Sequence, residues 1–161
     1  MEKHILSKST FIKGLQCNKA LYYHKLRRDL RDDLSAAQEA IFAQGTSVGE
    51  LACALFPGGV DCTPESYFNF QAAVIRTQDE IETGTKIIYE AAFQFNGVLA
   101  ALDILVKHED GWRAYEVKSS TSVSETYELD ASIQYYCITN SGIDLKDISI
   151  VHINNQYVKN G

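Results

Sequence analysis

The chain has 161 residues, 45% of them hydrophobic and 22% charged, with a net charge of −6. That length suits a single domain with an ordinary apolar core, and the acidic balance argues against a protein that coats nucleic acid non-specifically. A nuclease stays open, because a carboxylate-rich centre is itself negative and a divalent cation reverses the field locally. No apolar run approaches the ~20 residues of a membrane span, and the opening MEKHILSKST lacks the apolar stretch of a secretion signal. A cytoplasmic protein without a membrane partner is therefore expected. Cys17, Cys53, Cys62 and Cys137 form no C-x-x-C pair, so buried free thiols are expected rather than zinc or disulfides.

Three helices come first. Ser9 or Thr10 can cap a helix through FIKGLQCNKALYYHKL, with Phe11, Leu15 and Tyr22 among its apolar positions. Ser35 can cap a second, SAAQEAIFAQGTSVGELACALF, which Pro57-Gly58-Gly59 ends. A third runs from Glu65 to about Glu82 and is closed by Gly84. The texture then changes to three runs rich in β-branched and aromatic residues, KIIYEAAFQF, VLAALDILVK and WRAYEVKS. Asn96-Gly97 between the first two is a strong hairpin signal. A helix from about Tyr127 to Asn140 and a last strand, DISIVHIN, complete the order. No repeat, low-complexity tract or long linker interrupts it.

Strand alternation decides what these runs bring together. Ile87, Tyr89, Ala91, Phe93 and Phe95 are expected on one face, matched by Val98, Ala100, Leu102, Ile104 and Val106. A two-residue turn at Asn96-Gly97 sets Tyr89 against Ile104, Ala91 against Leu102 and Glu90 against Asp103. The next turn is Glu109-Asp110 or Asp110-Gly111; the first sets Asp103 against Glu116, the second against Lys118. Either way Asp103, Glu116 and Lys118 share a face, so three carboxylates and one ammonium line up on adjacent strands. Like charges opposed in a sheet are unfavourable by roughly 0.2–1 kcal/mol per pair, and burial raises the cost. One lysine does not balance three carboxylates, but a bound Mg²⁺ or Mn²⁺ would, since both prefer oxygen ligands. The bland alternative is a half-exposed sheet face with solvated charges. Against it, Ile88, Leu99, Ala101, Leu105, Trp112 and Ala114 share that face and need cover.

At Asp103…Glu116-Val117-Lys118 the sequence resembles the PD-(D/E)XK nuclease superfamily. The E-x-K pair alone is a weak signal, but its place on the third meander strand, with Asp on the second, matches the restriction-endonuclease-like order. STFIKGLQCNKALYY, GTSVGELACALFP, IIYEAAFQFNGVLAALDIL and ASIQYY resemble segments of the RecB-like branch, which includes the CRISPR adaptation exonucleases. The resemblance implies an α/β fold: a central mixed sheet, made of a three-stranded antiparallel meander plus a further strand, flanked by helices. It implies one domain, with 1–34 as an N-terminal helical segment and 35–161 as the core. It also leaves room for a longer parent protein from which this domain is excised, with a further C-terminal domain or a protein partner.

The function so implied is metal-dependent hydrolysis of DNA phosphodiesters. Asp103 and Glu116 would ligate Mg²⁺ or Mn²⁺ with the Val117 carbonyl. Glu50, where the CRISPR enzymes often carry histidine, would be a further ligand. Lys118 would orient or deprotonate the attacking water, and Gln134 would contact substrate. Iron–sulfur members use one early and three clustered late cysteines, whereas Cys137 is the only late one here, so no such cluster is expected. The alternative is a catalytically inactive nuclease-like domain that binds DNA or a protein partner.

Several residues have two readings. Glu90 is either a second carboxylate supporting the metal site or a strand residue paired with Lys118 or Lys86. Ser119, Ser120 and Thr121 either donate to phosphate or form a plain turn. Lys19, Lys25, Arg27, Arg28 and Arg31 read first as a solvated helix face and second as contacts to a DNA backbone. Tyr22, Tyr23, Tyr135 and Tyr136 are expected to pack in the core, with stacking on bases, notably by Tyr135, as the second reading. Endo- or exonucleolytic action, strand polarity and oligomeric state are not fixed by any of these residues.

Overall fold

A computed structural model describes residues 5–66 and 69–159. In chain order the elements are β1 (Leu6–Ser7), α1 (Lys8–Gln16), α2 (Asn18–Leu26), α3 (Ala36–Cys53), β2 (Val60–Asp61), α4 (Phe70–Glu82), β3 (Ile87–Phe95), β4 (Val98–His108), β5 (Gly111–Lys118), α5 (Glu125–Asn140) and β6 (Leu145–His152). The protein is α/β. Its mixed sheet runs β2-β3-β4-β5-β6, with β1 added alongside β4. The antiparallel meander β3-β4-β5 is at its centre, and α5 makes the crossover to β6, which is parallel to β5. One face carries α1, α4 and α5 over a core that includes Ile88, Leu102, Leu105, Trp112, Cys137 and Ile138. The other carries α3, whose Ala52 and Phe56 pack on Ile104, Val106 and Tyr115. Among the described residues no helix is long and apolar enough to cross a membrane.

The helix boundaries follow local chemistry. Ser35 and Gln38 form a reciprocal capping box at the start of α3. The first helical run is capped by Ser7 rather than Ser9 or Thr10, and it breaks at Cys17, whose backbone is extended. The break lets Leu21 of α2 fold back beside Gly14, where a side chain would crowd it. Ile12 is buried, whereas Leu15 and Tyr22 are exposed. The third helix begins at Phe70, not Glu65; Glu65 and Ser66 form a bend, and 67–68 lie outside the described residues. Of the cysteines, Cys62 and Cys137 are buried, Cys53 is half-buried and Cys17 is exposed; all four are free.

Asn96 and Gly97 both take positive φ, as a tight hairpin turn demands. The expected β3–β4 register holds, with Tyr89 opposite Ile104, Ala91 opposite Leu102 and Phe93 opposite Ala100. The second turn is Glu109-Asp110, since His108 pairs with Gly111 and Ile104 with Tyr115. One step further that register would set Asp103 against Glu116, but the ladder stops at Ile104 and Tyr115.

The single continuous apolar face does not hold. Ile87, Tyr89, Ile104 and Val106 pack with α3, whereas Ala91, Phe93, Ala100 and Leu102 join the core on the opposite side, with Ile88 and Leu105. The alternation changes phase at Glu90 and Asp103. Glu90 has φ +52° in mid-strand, in the left-handed region that a non-glycine residue occupies at a cost of order 1–3 kcal/mol. Its pairing with Asp103 is skipped in the ladder.

A candidate active site in a fork of the sheet

Among the described residues the β4–β5 ladder ends at Ile104 and Tyr115. Beyond that pair the strands part. β5 continues along β6, from Glu116 beside Ile150 to Lys118 beside His152. β4 continues along β3 and takes up β1. Asp103, Glu116, Val117 and Lys118 sit where the sheet divides, but Asp103 lines a cavity on the α3 side, whereas Glu116 and Lys118 bond to residues of α1 and α5. The Val117 N–H, which has no ladder partner on β4, donates to Asp103 Oδ2 at 2.5 Å.

Helices close the fork. Gln134 on α5 is fully buried, and its Nε2 donates to the Ala101 carbonyl of one arm (3.1 Å) and to Glu116 Oε2 of the other (2.5 Å). Glu116 is only 2% exposed, and its Oε1 accepts from two ammonium groups, Lys8 at 2.5 Å and Lys118 at 2.7 Å. Lys118 also donates to Asp130 of α5 at 2.6 Å and lies 5.1 Å from the centre of the Tyr127 ring.

On the α3 side, a cavity of about 430 Å³ is lined by Glu50, Cys53, Asp61, Tyr89, Glu90 and Asp103. Gly45 and Gly49 form part of its wall, and a Cβ at either would meet nothing within 4 Å. Tyr89 fixes this wall by donating to the carbonyls of Phe56 and Cys53 at the end of α3, and it accepts from the Gly59 N–H.

The electrostatics are uneven. Burial, then the charge of Glu116, push the Asp103 carboxyl up to about 7, against the opposing hydrogen bond from Val117. Burial, Asp61 and Glu116 push Glu90 up as well. Glu116 itself is desolvated, yet Lys8 and Lys118 hold it below the ordinary glutamate value. Burial acts to lower the Lys118 pKa, but Glu116 and Asp130 outweigh it and the ammonium is raised. Positive charge is thus concentrated on Glu116, and among the described residues no ammonium or guanidinium is bonded to Asp103 or Glu90.

The remaining predicted residues are placed less closely. Glu50 is exposed at the rim of the cavity that also holds Asp103. The Ser120 hydroxyl donates to the Ser122 carbonyl at 2.9 Å, within a turn. Tyr135 is 42% exposed beside Gln134, and Tyr22, Tyr23 and Tyr136 are comparably exposed, so none of the four is a core residue. The buried stripe of α5 is Ala131, Gln134, Cys137 and Ile138, which leaves 135 and 136 off it. Sequence reasoning missed Lys8 and Asp130. Asp130 carries a signal, four residues before Gln134 on one helix face. Lys8 carries none, being 108 positions from Glu116.

Two observations fit a hard divalent cation here. The Asp103 carboxyl is pushed up by burial and then by the charges of Glu116 and Glu90, and among the described residues the buried Gln134 Oε1 has no hydrogen-bond donor. Among the described residues no three His, Cys, Asp or Glu side chains are gathered as a metal cage, so an ion would draw on two carboxylates and a backbone carbonyl. No protein-family model matches the chain, and no curated protein matches its sequence.

Proposed function

We propose that the protein is a metal-dependent nuclease that hydrolyses phosphodiester bonds of DNA, of the PD-(D/E)XK type and RecB-like. The observation that carries this reading is the fork itself, where Asp103 accepts from the Val117 N–H next to Glu116, with burial and then the charge of Glu116 raising the Asp103 carboxyl to about 7. Asp103, Glu116 and the Val117 carbonyl are the residues that would hold Mg²⁺ or Mn²⁺, with Glu50 across the cavity as a further oxygen donor. When bound, such an ion supplies Lewis-acid activation of the phosphate and of the attacking water.

The chain's own residues do the rest. Asp103 would have to release its proton to serve as a ligand, which would make metal binding pH-dependent. Lys118, held as an ammonium by Glu116 and Asp130, donates to the attacking water and to the charge that develops on the phosphate. Its raised pKa argues for that role and against a general base. Gln134 fixes the Glu116 carboxylate and bridges the two arms of the fork. Glu90 raises the negative field around Asp103, and Tyr135 and Ser120 lie near enough in sequence to α5 and Lys118 to meet the substrate strand.

The second reading is an inactive nuclease-like domain that binds DNA or a protein. It is favoured by one observation: Lys8 and Lys118 already saturate Glu116 Oε1. The test is cleavage of single- and double-stranded DNA with Mn²⁺ or Mg²⁺ by the wild type, Asp103→Ala and Lys118→Ala. Cleavage by the wild type alone supports the nuclease. Equal cleavage by all three marks a contaminant, and no cleavage without calorimetric metal binding supports the binding module.

A further inference from the structure

The charge of the chain is unevenly spread. Residues 1–31 contain eight Lys and Arg against two acidic residues, and the remaining 130 contain seven against nineteen. In the fold this basic segment is largely solvated, with Lys19, Arg27, Arg28 and Arg31 exposed and Lys25 half-buried. It forms one wall of a second cavity, of about 390 Å³, into which His24, Lys25, Arg28 and Arg31 converge opposite Gln71 and Gln94.

Two of the cations are pinned there by backbone carbonyls. Lys25 Nζ donates to the Ile5 carbonyl at 3.0 Å, and Arg31 donates to the His24 carbonyl. Both keep further N–H donors for a ligand. Asp29, the acidic residue between Arg28 and Arg31, is engaged by a two-pronged pair with Arg27, closest at 2.7 Å, and does not line the cavity. Among the described residues no carboxylate lines the cavity. Burial and then the charges of Arg31, Lys13, Arg28 and Lys25 all act to keep His24 neutral. A concave wall with two fixed cationic donors, a further arginine and two glutamines suits a compact anion with several acceptor oxygens, above all a phosphate.

The location adds to this. Ser7 and Thr10 line the same cavity, and they bracket Lys8, whose ammonium is on Glu116. One turn of α1 separates the cavity from the fork. We propose that this pocket is a binding site, distinct from the fork, for a phosphate group of the nucleic-acid strand that the fork cuts. The pocket would hold that strand on the α1 and α2 side of the protein; as a statement about substrate it rests on the nuclease reading above.

The test is fluorescence anisotropy of a labelled single-stranded DNA oligonucleotide in EDTA, where no cleavage occurs, across a salt series. Arg28→Gln and Arg31→Gln are compared with the wild type and with a Lys86→Gln/Lys107→Gln control at the opposite end of the β3–β4 hairpin from its Asn96-Gly97 turn. Thermal melts verify folding. Each arginine variant is expected to bind about tenfold more weakly, with a log–log salt slope shallower by about 0.7 for each phosphate no longer neutralised, while the control matches the wild type. The oligonucleotide is used with and without a 5′-phosphate. Dependence on it assigns the pocket to a strand end, and indifference assigns it to an internal phosphodiester; either supports the site. Equal binding by the arginine variants and the wild type overturns it, and does so even where Mn²⁺-dependent cleavage by the wild type upholds the nuclease. Arginine-dependent binding by a wild type that never cleaves upholds the pocket and removes the nuclease.

Discussion

The Lys8 ammonium lies 2.5 Å from Glu116 Oε1, although 108 positions separate the two residues. Glu116 is nearly fully buried, and Lys8 shares that oxygen with Lys118. Lys8 thus ties the first turn of α1 to the centre of the fork, and it occupies a carboxylate that a metal ion would need.

Replacing Lys8 by Met should have two opposite effects. In EDTA, urea unfolding should show a loss of roughly 1–3 kcal/mol, the typical worth of a hydrogen bond to a charged group. The fall stays at that level because Lys118 continues to compensate Glu116. Mn²⁺ affinity by calorimetry should rise, since the ion no longer competes with a tethered cation. Unchanged stability in EDTA together with unchanged affinity would show that the ammonium is not on Glu116.

Asp103 predicts how metal-free stability varies with pH. Its carboxyl is raised from 3.8 to about 7 in the folded protein, so the native state holds a proton that the unfolded state has released. The stability this gives is fully present below about pH 4 and is lost as pH rises through 7. Glu116, lowered by Lys8 and Lys118, contributes in the opposite sense, and its share is lost as pH falls through its folded pKa. Asp103→Asn mimics the protonated acid. In EDTA at pH 8 it should therefore be more stable than the wild type by roughly 1–2 kcal/mol, with little difference at pH 4. A constant gap across that range would show that Asp103 does not titrate as described.

Asp130 is expected to act through Lys118. Asp130→Asn keeps the shape of the side chain but frees the ammonium to move, so single-turnover cleavage should slow by about tenfold with little change in apparent substrate affinity. Lys118→Ala should lose about 10²–10³-fold. An Asp130→Asn enzyme with normal rate would leave Glu116 alone as the group that positions Lys118.

Glu90 combines backbone strain with a like charge near Asp103. Glu90→Gly removes both and Glu90→Gln only the charge. Thermal melts in EDTA should rank Glu90→Gly above Glu90→Gln by up to about 1 kcal/mol, and both variants should bring the Asp103 titration, followed by NMR, to lower pH. If the two variants melt together, the left-handed backbone is not strained.

Much of the fold was legible because it depends on local signals. Asn96-Gly97 set the β3–β4 register, and the Glu109-Asp110 turn set Ile104 against Tyr115, one step short of Asp103 and Glu116. The phase change at Glu90 was not legible, since alternation assumes an unbroken extended backbone and nothing in the type of residue 90 announces a positive φ. β1 and β2 were missed because two residues carry no period. Lys8 was invisible for a different reason: its partner is chosen by how α1 folds onto the sheet, which no spacing encodes. Gln134 was singled out for contact with substrate; that its Nε2 donates to Ala101 and Glu116 was not legible in the sequence.

The most direct measurement is a calorimetric titration of Mn²⁺ into the wild type at pH 8, beside Asp103→Ala and Glu116→Gln. One ion should bind per wild-type chain, more weakly at pH 6 as the Asp103 proton competes, and neither variant should bind comparably. Binding that is absent from the wild type, or unchanged in both variants, would contradict a metal centre in the fork.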